Sequence, residues 1–477
     1  MVTPDHAIHE SADRDGTEAA IEGDAETGGL IPRFAGRRLP LAGHAIAFGR
    51  DPLGFLQSVR TEGDIVRLQL GPKQFYLLNS PTVIRKALVE DAAKYGKGLL
   101  FQRVRPLLGN GLVNSEGSFH ARQRRLMQPA FNRKHIAHYI ESMNHLAASL
   151  SARWHDGETV TLTDDLHRLS SDVIATTMFP DMSSRPIVEE LQRSLAIVLR
   201  GVIIRTLVPY QFWEFLPTPG NLNYQRAISR LRSATGELIT AARAGDVEPD
   251  GLLALLVAAR DAETGAAMTD TQLLDEVTTL FAAGTETASV TLSWLFYELA
   301  GHSDIEARLH AELDEHLSSD RIDADTIYRL DYCRRVIEET LRLHTPTWFL
   351  SRRALDTVQL DGWVIPAGAE IIYSPTTMHR DPKLFDDPMR FDPDRWLPER
   401  RPSAADGAFI PFNLGIRKCI GDHYAMTEMI VTTATIARRW RLHRMPGQTA
   451  REHISTTIHP GNLRMRTALR QSSTTTA

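Results

Sequence analysis

Cys419 lies in the run Phe412-Asn413-Leu414-Gly415-Ile416-Arg417-Lys418-Cys419-Ile420-Gly421. It stands just ahead of residues 425–438, where Met426, Met429, Ile430 and Ala434 recur at helical spacing. A sulfur at a helix start meets free backbone N–H groups and the positive end of the helix dipole, both of which favour a thiolate. Gly415 and Gly421 allow tight turns and close approach to a flat ligand, Phe412 can lie against the sulfur, and Arg417 offers a guanidinium to carboxylates. These residues suit an anionic sulfur ligand to iron. A second cluster, Ala282-Ala283-Gly284-Thr285-Glu286-Thr287, puts small and polar residues in the middle of an otherwise apolar helical pattern. Glycine there costs about 1 kcal/mol relative to alanine, so something must repay it. Elsewhere His120 and Arg124, four apart, share a helix face suited to gripping a carboxylate, and Glu339 and Arg342, three apart, can pair.

The pattern Phe-x-x-Gly-x-Arg-x-Cys-x-Gly, matched at Phe412, Gly415, Arg417, Cys419 and Gly421, resembles the haem-binding loop of the cytochrome P450 family. The run Ala283-Gly284-Thr285-Glu286-Thr287 resembles that family's Ala-Gly-x-Glu/Asp-Thr signature. Glu339-Thr340-Leu341-Arg342 matches its Glu-x-x-Arg, and Phe391-Asp392-Pro393-Asp394-Arg395 its Phe-x-Pro-x-Arg. The resemblance implies haem b with an axial thiolate from Cys419, which donates electron density that helps to break the O–O bond. It implies that Thr287 hydrogen-bonds bound dioxygen, that Glu286 feeds protons inward, and that the helix opens locally there. His120, Arg124, Arg352 and Arg417 would anchor the propionates, and His379 could reach one as well. Glu339, Arg342 and Arg395 would form a buried network that holds the haem loop. The family often has Trp where this chain has His120, and histidine keeps the donor function. For Thr287 alone, a hydroxyl bonded back to its own helix stays open.

The elements that position these residues are mostly helical. Thr269-Asp270-Thr271-Gln272 is a capping-box signature that opens a long central helix through Leu299. A helix is predicted over 332–344, stopped by Pro346. Ile65 to Leu70 and Gln74 to Leu78, joined at Gly71-Pro72, read as two strands followed by a helix after Pro81. Further strands are predicted over 359–366 and 370–373, and a hairpin over 454–463 with Thr456 and Thr457. Residues 99–101 and 107–113 read as a loop-rich apolar stretch that either caps a pocket or packs in the core. From 146 to 242 helices follow one another, and apolar residues in 198–207, with Phe212, Trp213 and Phe215, suggest a lid or a buried helix. The fold class is therefore mainly α with small β-sheets. The resemblance makes it the P450 fold, a single domain over 33–470 with the long helix above the haem and the cysteine loop beneath.

Of the 477 residues, 42% are hydrophobic and 24% charged, and the net charge is −5. That composition supports a large core and offers no global basic field for nucleic acid. Two cysteines, Cys333 and Cys419, exclude a disulfide framework and fit a reducing cytoplasm, with Cys333 a buried inert thiol. Residues 1–32 read as a disordered acidic tail without a membrane anchor or signal segment, and 471–477 as a flexible tail. The chain is thus expected to be a cytoplasmic monooxygenase taking O2 and an apolar substrate. A ferredoxin and its NAD(P)H-dependent reductase would supply electrons, docking on a basic patch of Arg122, Arg125, Arg133, Lys134 and Lys418. Phe101, Phe281, Ala283, Trp348, Phe349 and Leu350 are candidate pocket residues with almost no fixed charge nearby, which favours recognition by shape. Several stretches, notably 110–131 and 348–353, look like actinobacterial oxidases of cyclic sesquiterpenes such as pentalenene. A fatty-acid or other lipid hydroxylase is the alternative within the class, and a haem gas sensor or carrier the alternative outside it.

Overall fold

The capping box forms: Thr269 Oγ1 accepts from the N–H of Gln272 (3.2 Å), and Gln272 Oε1 accepts from the N–H of Thr269 (2.9 Å). These bonds satisfy N–H groups that a helix start leaves unpaired. The helix they open runs Asp270–Leu299, and its apolar residues face in several directions because neighbours cover it on several sides. It packs on helices Leu162–Met178, Pro219–Ala244, Asp331–Leu343 and Asp422–Arg439, and the last of these packs in turn on Arg133–Arg153. In this computed structural model the described residues are 31–36, 39, 42–180, 185–207, 216–245, 247–317, 321–402 and 407–470. The acidic N-terminal segment, the C-terminal seven residues, and Phe212, Trp213 and Phe215 lie outside them. The side chains of 202–207 also lie outside the described set, although the backbone there belongs to helix Arg185–Leu207.

Strands Ile65–Leu70 and Lys73–Leu78 pair antiparallel around Gly71, whose φ of +61° suits glycine. They form one edge of a five-stranded sheet. Lys73–Leu78 runs parallel to Glu370–Tyr373, which pairs antiparallel with Leu350–Ala354, itself antiparallel to Tyr95–Lys97 at the far edge. A second sheet joins Thr159–Thr161, Arg464–Leu469 and Trp440–Arg444. The C-terminal hairpin pairs His453–Ile454 with Ile458–His459.

Three readings of the sequence differ from the structure in physical detail. Residues 99–108 are a helix rather than a loop, closed by Gly109 at φ +53°, and Pro106 lies within its last turn, where it removes one i→i−4 hydrogen bond. The segment 359–366 is not one strand. It turns back at Asp361-Gly362, both with positive φ, to pair Val358–Leu360 with Trp363–Ile365. The three-residue strand Thr159–Thr161 interrupts what reads as continuous helix.

Candidate functional site

The cysteine loop is fixed by its own backbone. The N–H of Cys419 donates to Phe412 O (2.8 Å), the N–H of Lys418 to Gly415 O (3.0 Å), and Asn413 holds φ +62° with Oδ1 accepting from Tyr373 Oη (3.1 Å). Gly415 is obligatory. Its φ is +65°, and a Cβ there would stand 2.2 Å from the carbonyl oxygen of Leu88. Gly421 is not needed for a tight turn: its φ is −97°, and nothing lies closer than Phe131 Cε1 at 3.9 Å to where a Cβ would be. Cys419 has accessible surface, yet enough protein surrounds it that burial pushes its thiol up, against the lowering hydrogen bond from Gly421. The helix begins at Asp422, so the lowering hydrogen bond comes from its N-cap residue, Gly421.

Helix Gly117–Met127 is bonded to this loop by the two side chains that share its face. Arg124 Nη1 donates to Lys418 O (2.7 Å), and His120 Nε2 meets Ile416 O (3.2 Å) while its Nδ1 meets Ser115 Oγ (3.0 Å). Burial, then the cations of Arg417, Lys97 and Arg124, lower the His120 pKa to about 4, against the hydrogen bond to Ile416. Arg417 Nη1 donates to Ser115 O, which adds a third tie.

Beside these groups lies a cluster of cations. Arg352 is buried, with Nη1 on Ser351 O (2.8 Å) and Nη2 without a partner among the described residues. In the sheet register Lys97 stands directly opposite Arg352, an arrangement of like charges that destabilises a strand pair. Burial and then Arg352 lower the Arg417 pKa to about 10, and burial, Arg352 and Arg417 push Lys97 well down. Glu116 is the acid that opposes both. The Phe101 ring lies under Lys97 Nζ (4.2 Å) and Arg352 Cζ (5.6 Å), so it supports the cations. Repelling cations and an unpartnered buried guanidinium fit a ligand that brings more than one carboxylate. Lys97 escaped the sequence analysis because its strand is three residues long and its partner distant in the chain.

On the central helix, Ala283 is exposed between the part-buried Ala282 and Gly284, and the helix packs directly on the one that follows Cys419. The backbone stays α-helical through Gly284 with no local opening. Close approach of the neighbouring helix accounts for that glycine, since a Cβ would sit 3.1 Å from Ile174 Cγ1. Thr287 Oγ1 donates to Ala283 O (3.0 Å), the bond back to its own helix. Glu286 turns to the C-terminal hairpin. It accepts from Thr456 Oγ1 on both oxygens (2.9 Å each) and from Thr457 Oγ1 (2.8 Å). Trp348 Nε1 donates to Ser455 O at the same tip (3.0 Å). Trp348 and Phe349 stack at 5.2 Å and meet Phe48, while Leu350 opens strand Leu350–Ala354. Phe281 is buried in the main core, where it lines a small cavity with Leu191, Leu195 and Leu231.

Behind the loop, Glu339 and Arg342 are completely buried and paired at 2.8 Å, with Arg395 Nε 3.3 Å from the same carboxylate. His379, read as able to reach a propionate, is fully occupied: Nε2 accepts from the N–H of Ile410 (2.9 Å), and Nδ1 meets Thr345 Oγ1 (2.7 Å). The basic surface is narrower than its sequence suggests, because Arg125 pairs with the buried Asp261 (3.2 Å), Arg122 lies 4.0 Å from the same acid, and Lys418 pairs with Asp422. Arg133 and Lys134 stay exposed. Cys333 is buried, and burial raises its thiol pKa. No group of three His, Cys, Asp or Glu that could hold a metal occurs among the described residues.

The family profile for cytochrome P450 matches residues 32–465. The chain is 40% identical to a cyclooctat-9-en-7-ol 5-monooxygenase of Streptomyces melanosporofaciens, over 86% of this chain and 89% of the relative. It is 36% identical to a pentalenene oxygenase of Streptomyces avermitilis, over 91% and 96%. Among solved structures, the haem domain of cytochrome P450DA superposes with a TM-score of 0.84 at 25% identity, covering 94% of this chain and 99% of that one.

Proposed function

This chain belongs to the cytochrome P450 family, and from that premise we propose that it inserts one oxygen atom of O2 into a C–H or C=C bond of a cyclic terpene, the other oxygen leaving as water. The observation that carries the substrate class is the similarity, over most of the chain, to relatives named for cyclooctat-9-en-7-ol and for pentalenene. The family and fold imply haem with a cysteine thiolate, and the residues present fit it. Cys419 offers a sulfur with free surface, and Lys97, Arg352 and Arg417, with Arg124 and the neutral His120 alongside, form a cationic cluster that two propionates would neutralise. Haem supplies the iron at which O2 is reduced, with the thiolate's electron donation assisting O–O cleavage.

The chain's own groups do the rest. Thr287 spends its hydroxyl proton on Ala283 O, which leaves its oxygen lone pairs to accept. Glu286, the preceding residue, is the proton carrier, and the bare surface of Ala283 gives room for substrate. Trp348, Phe349 and Leu350 supply an apolar wall without fixed charge, suited to a hydrocarbon recognised by shape. Electrons come from a ferredoxin and its NAD(P)H-dependent reductase, approaching near the exposed Arg133 and Lys134. Among the described residues, no helix is long and apolar enough to cross a membrane.

The test is spectral. The reduced, carbon monoxide-treated protein should show the thiolate-ligated absorption band and lose it in Cys419→Ala. Cyclic terpenes should shift the ferric spectrum, and with redox partners and NADPH they should yield hydroxylated product. A response to fatty acids alone would overturn the substrate assignment.

A further inference from the structure

Glu286 makes its hydrogen bonds with the hairpin rather than with Thr287. Both of its oxygens accept from Thr456 Oγ1, and one accepts also from Thr457 Oγ1. No Lys or Arg pairs with it among the described residues, so these two hydroxyls are what hold it. The tip that carries them is itself fastened. Trp294 Nε1, from the central helix, donates to Ile458 O (3.0 Å), and the N–H of Ser455 donates to Thr457 O (2.8 Å). At the hairpin base Glu452 pairs with Arg380 and lies 3.7 Å from His344. Thr457 is buried with its hydroxyl committed to Glu286, whereas Thr456 is exposed. The hairpin therefore presents the carboxylate with one enclosed donor and one in contact with open space.

We propose that Thr456 and Thr457 are positioning residues for Glu286: the tip of the C-terminal hairpin fixes the carboxylate on the hairpin side of the central helix and sets the side from which protons reach it. This rests on Glu286 being the proton carrier. Trp348, on the apolar wall, donates to the adjoining Ser455 O, so substrate packed on that wall and the proton carrier share one support. His459, on the same hairpin, is lowered by burial and by His453 and raised by Glu286, so its titration reports where that carboxylate lies.

The experiment compares Glu286→Gln, Thr456→Val, Thr457→Val, the double valine variant and the double serine variant as holoenzymes. Product per NADPH and peroxide yield are measured with redox partners, the His459 ring is titrated by NMR in the reduced carbon monoxide form, and thermal midpoints are recorded. The double valine variant, which removes both hydroxyl donors to the carboxylate, should lose more than about tenfold in product per NADPH, since each hydrogen bond to a charged group is worth at least that factor. Its His459 should titrate lower, as in Glu286→Gln, and serine at both positions should restore both readouts. A valine variant that melts earlier yet keeps wild-type coupling and His459 titration would reduce the hairpin to a structural staple and overturn the proposal. Thr456→Val, at an exposed position, keeps the test decisive if the double variant does not fold. Wild-type coupling in Glu286→Gln would instead remove the proton-carrier reading beneath it.

Discussion

Glu339→Gln should destabilise the folded protein by about 3–5 kcal/mol, the range for removing one partner of a buried ion pair. The wild-type carboxylate accepts from Arg342 Nε (2.9 Å) and Nη2 (2.8 Å), Arg395 Nε (3.3 Å), Trp396 Nε1 (3.1 Å) and the N–H of Asp392 (2.9 Å). The side chains of Glu339 and Arg342 are wholly buried and that of Arg395 is 7% exposed. The remaining acceptors of Arg342, the carbonyls of His379, Pro388 and Arg390, supply hydrogen bonds but no counter-charge. Glutamine keeps the volume, leaves two guanidiniums without their carboxylate, and turns an NH2 group towards donors. The matched control is Glu141→Ala, whose partner Arg321 is 3.4 Å away with both side chains at least 70% exposed, a pair contributing about 0–1 kcal/mol. Urea unfolding of the holoenzymes, followed by haem absorbance and tryptophan fluorescence, reads both. Glu339→Gln should lose its haem band at clearly lower urea while Glu141→Ala overlays the wild type. A Glu339→Gln midpoint matching that of Glu141→Ala would refute the reasoning.

Thr287→Ala should keep the thiolate-ligated carbon monoxide band but divert electrons from product to peroxide; an unchanged product yield per NADPH removes Thr287 from the mechanism. Lys97→Gln removes one of the facing cations, and haem titration should show affinity weakened by roughly tenfold, about 1.4 kcal/mol; unaltered affinity would mean that Lys97 faces no propionate. Burial, assisted by Asp275, raises the Glu276 carboxyl from 4.5 to about 7 against hydrogen bonds from the N–H of Leu112 and from Gln123. The folded state then holds a proton that the unfolded chain releases, so stability falls as pH rises from about 4.5 to 7 and levels off above, by roughly 3 kcal/mol at most. Glu276→Gln should flatten that part of the urea-midpoint profile, and a wild-type slope in the variant would show the dependence to come from elsewhere.

What the sequence disclosed most clearly was local. The capping box, the Gly71 turn, and the spacing of His120 with Arg124 and of Glu339 with Arg342 each concern residues within one or two helical turns, where backbone geometry alone decides who meets whom. Burial overrides such local rules elsewhere in the chain. At Cys419 burial raises the thiol while the hydrogen bond from Gly421, at the helix N-cap, lowers it. Gly284 in a core helix marks a close contact, yet periodicity could not say that the contact is Ile174. His379 has the chemistry to bind a carboxylate, but Thr345 and the N–H of Ile410 take both nitrogens.

The residues that stayed hidden are those joined across the chain. Glu286 and Thr456 are 170 residues apart, and neither position hints at the other. Lys97 meets Arg352 because a three-residue strand happens to pair with the edge of the main sheet, and so short a strand has no period to detect. Yet this pairing carries the plainest sign of a bound group. Lysine and arginine facing each other, with a third cation beside them, would be an unprofitable arrangement in a chain that had only to fold. Repulsion of that kind destabilises a strand pair, and a dianionic ligand that bound only the folded chain there would relieve it, linking haem affinity and fold stability through the same three side chains if they face the propionates. Neutralising Lys97 should therefore act with opposite signs, weakening haem binding while easing the strain on the empty fold.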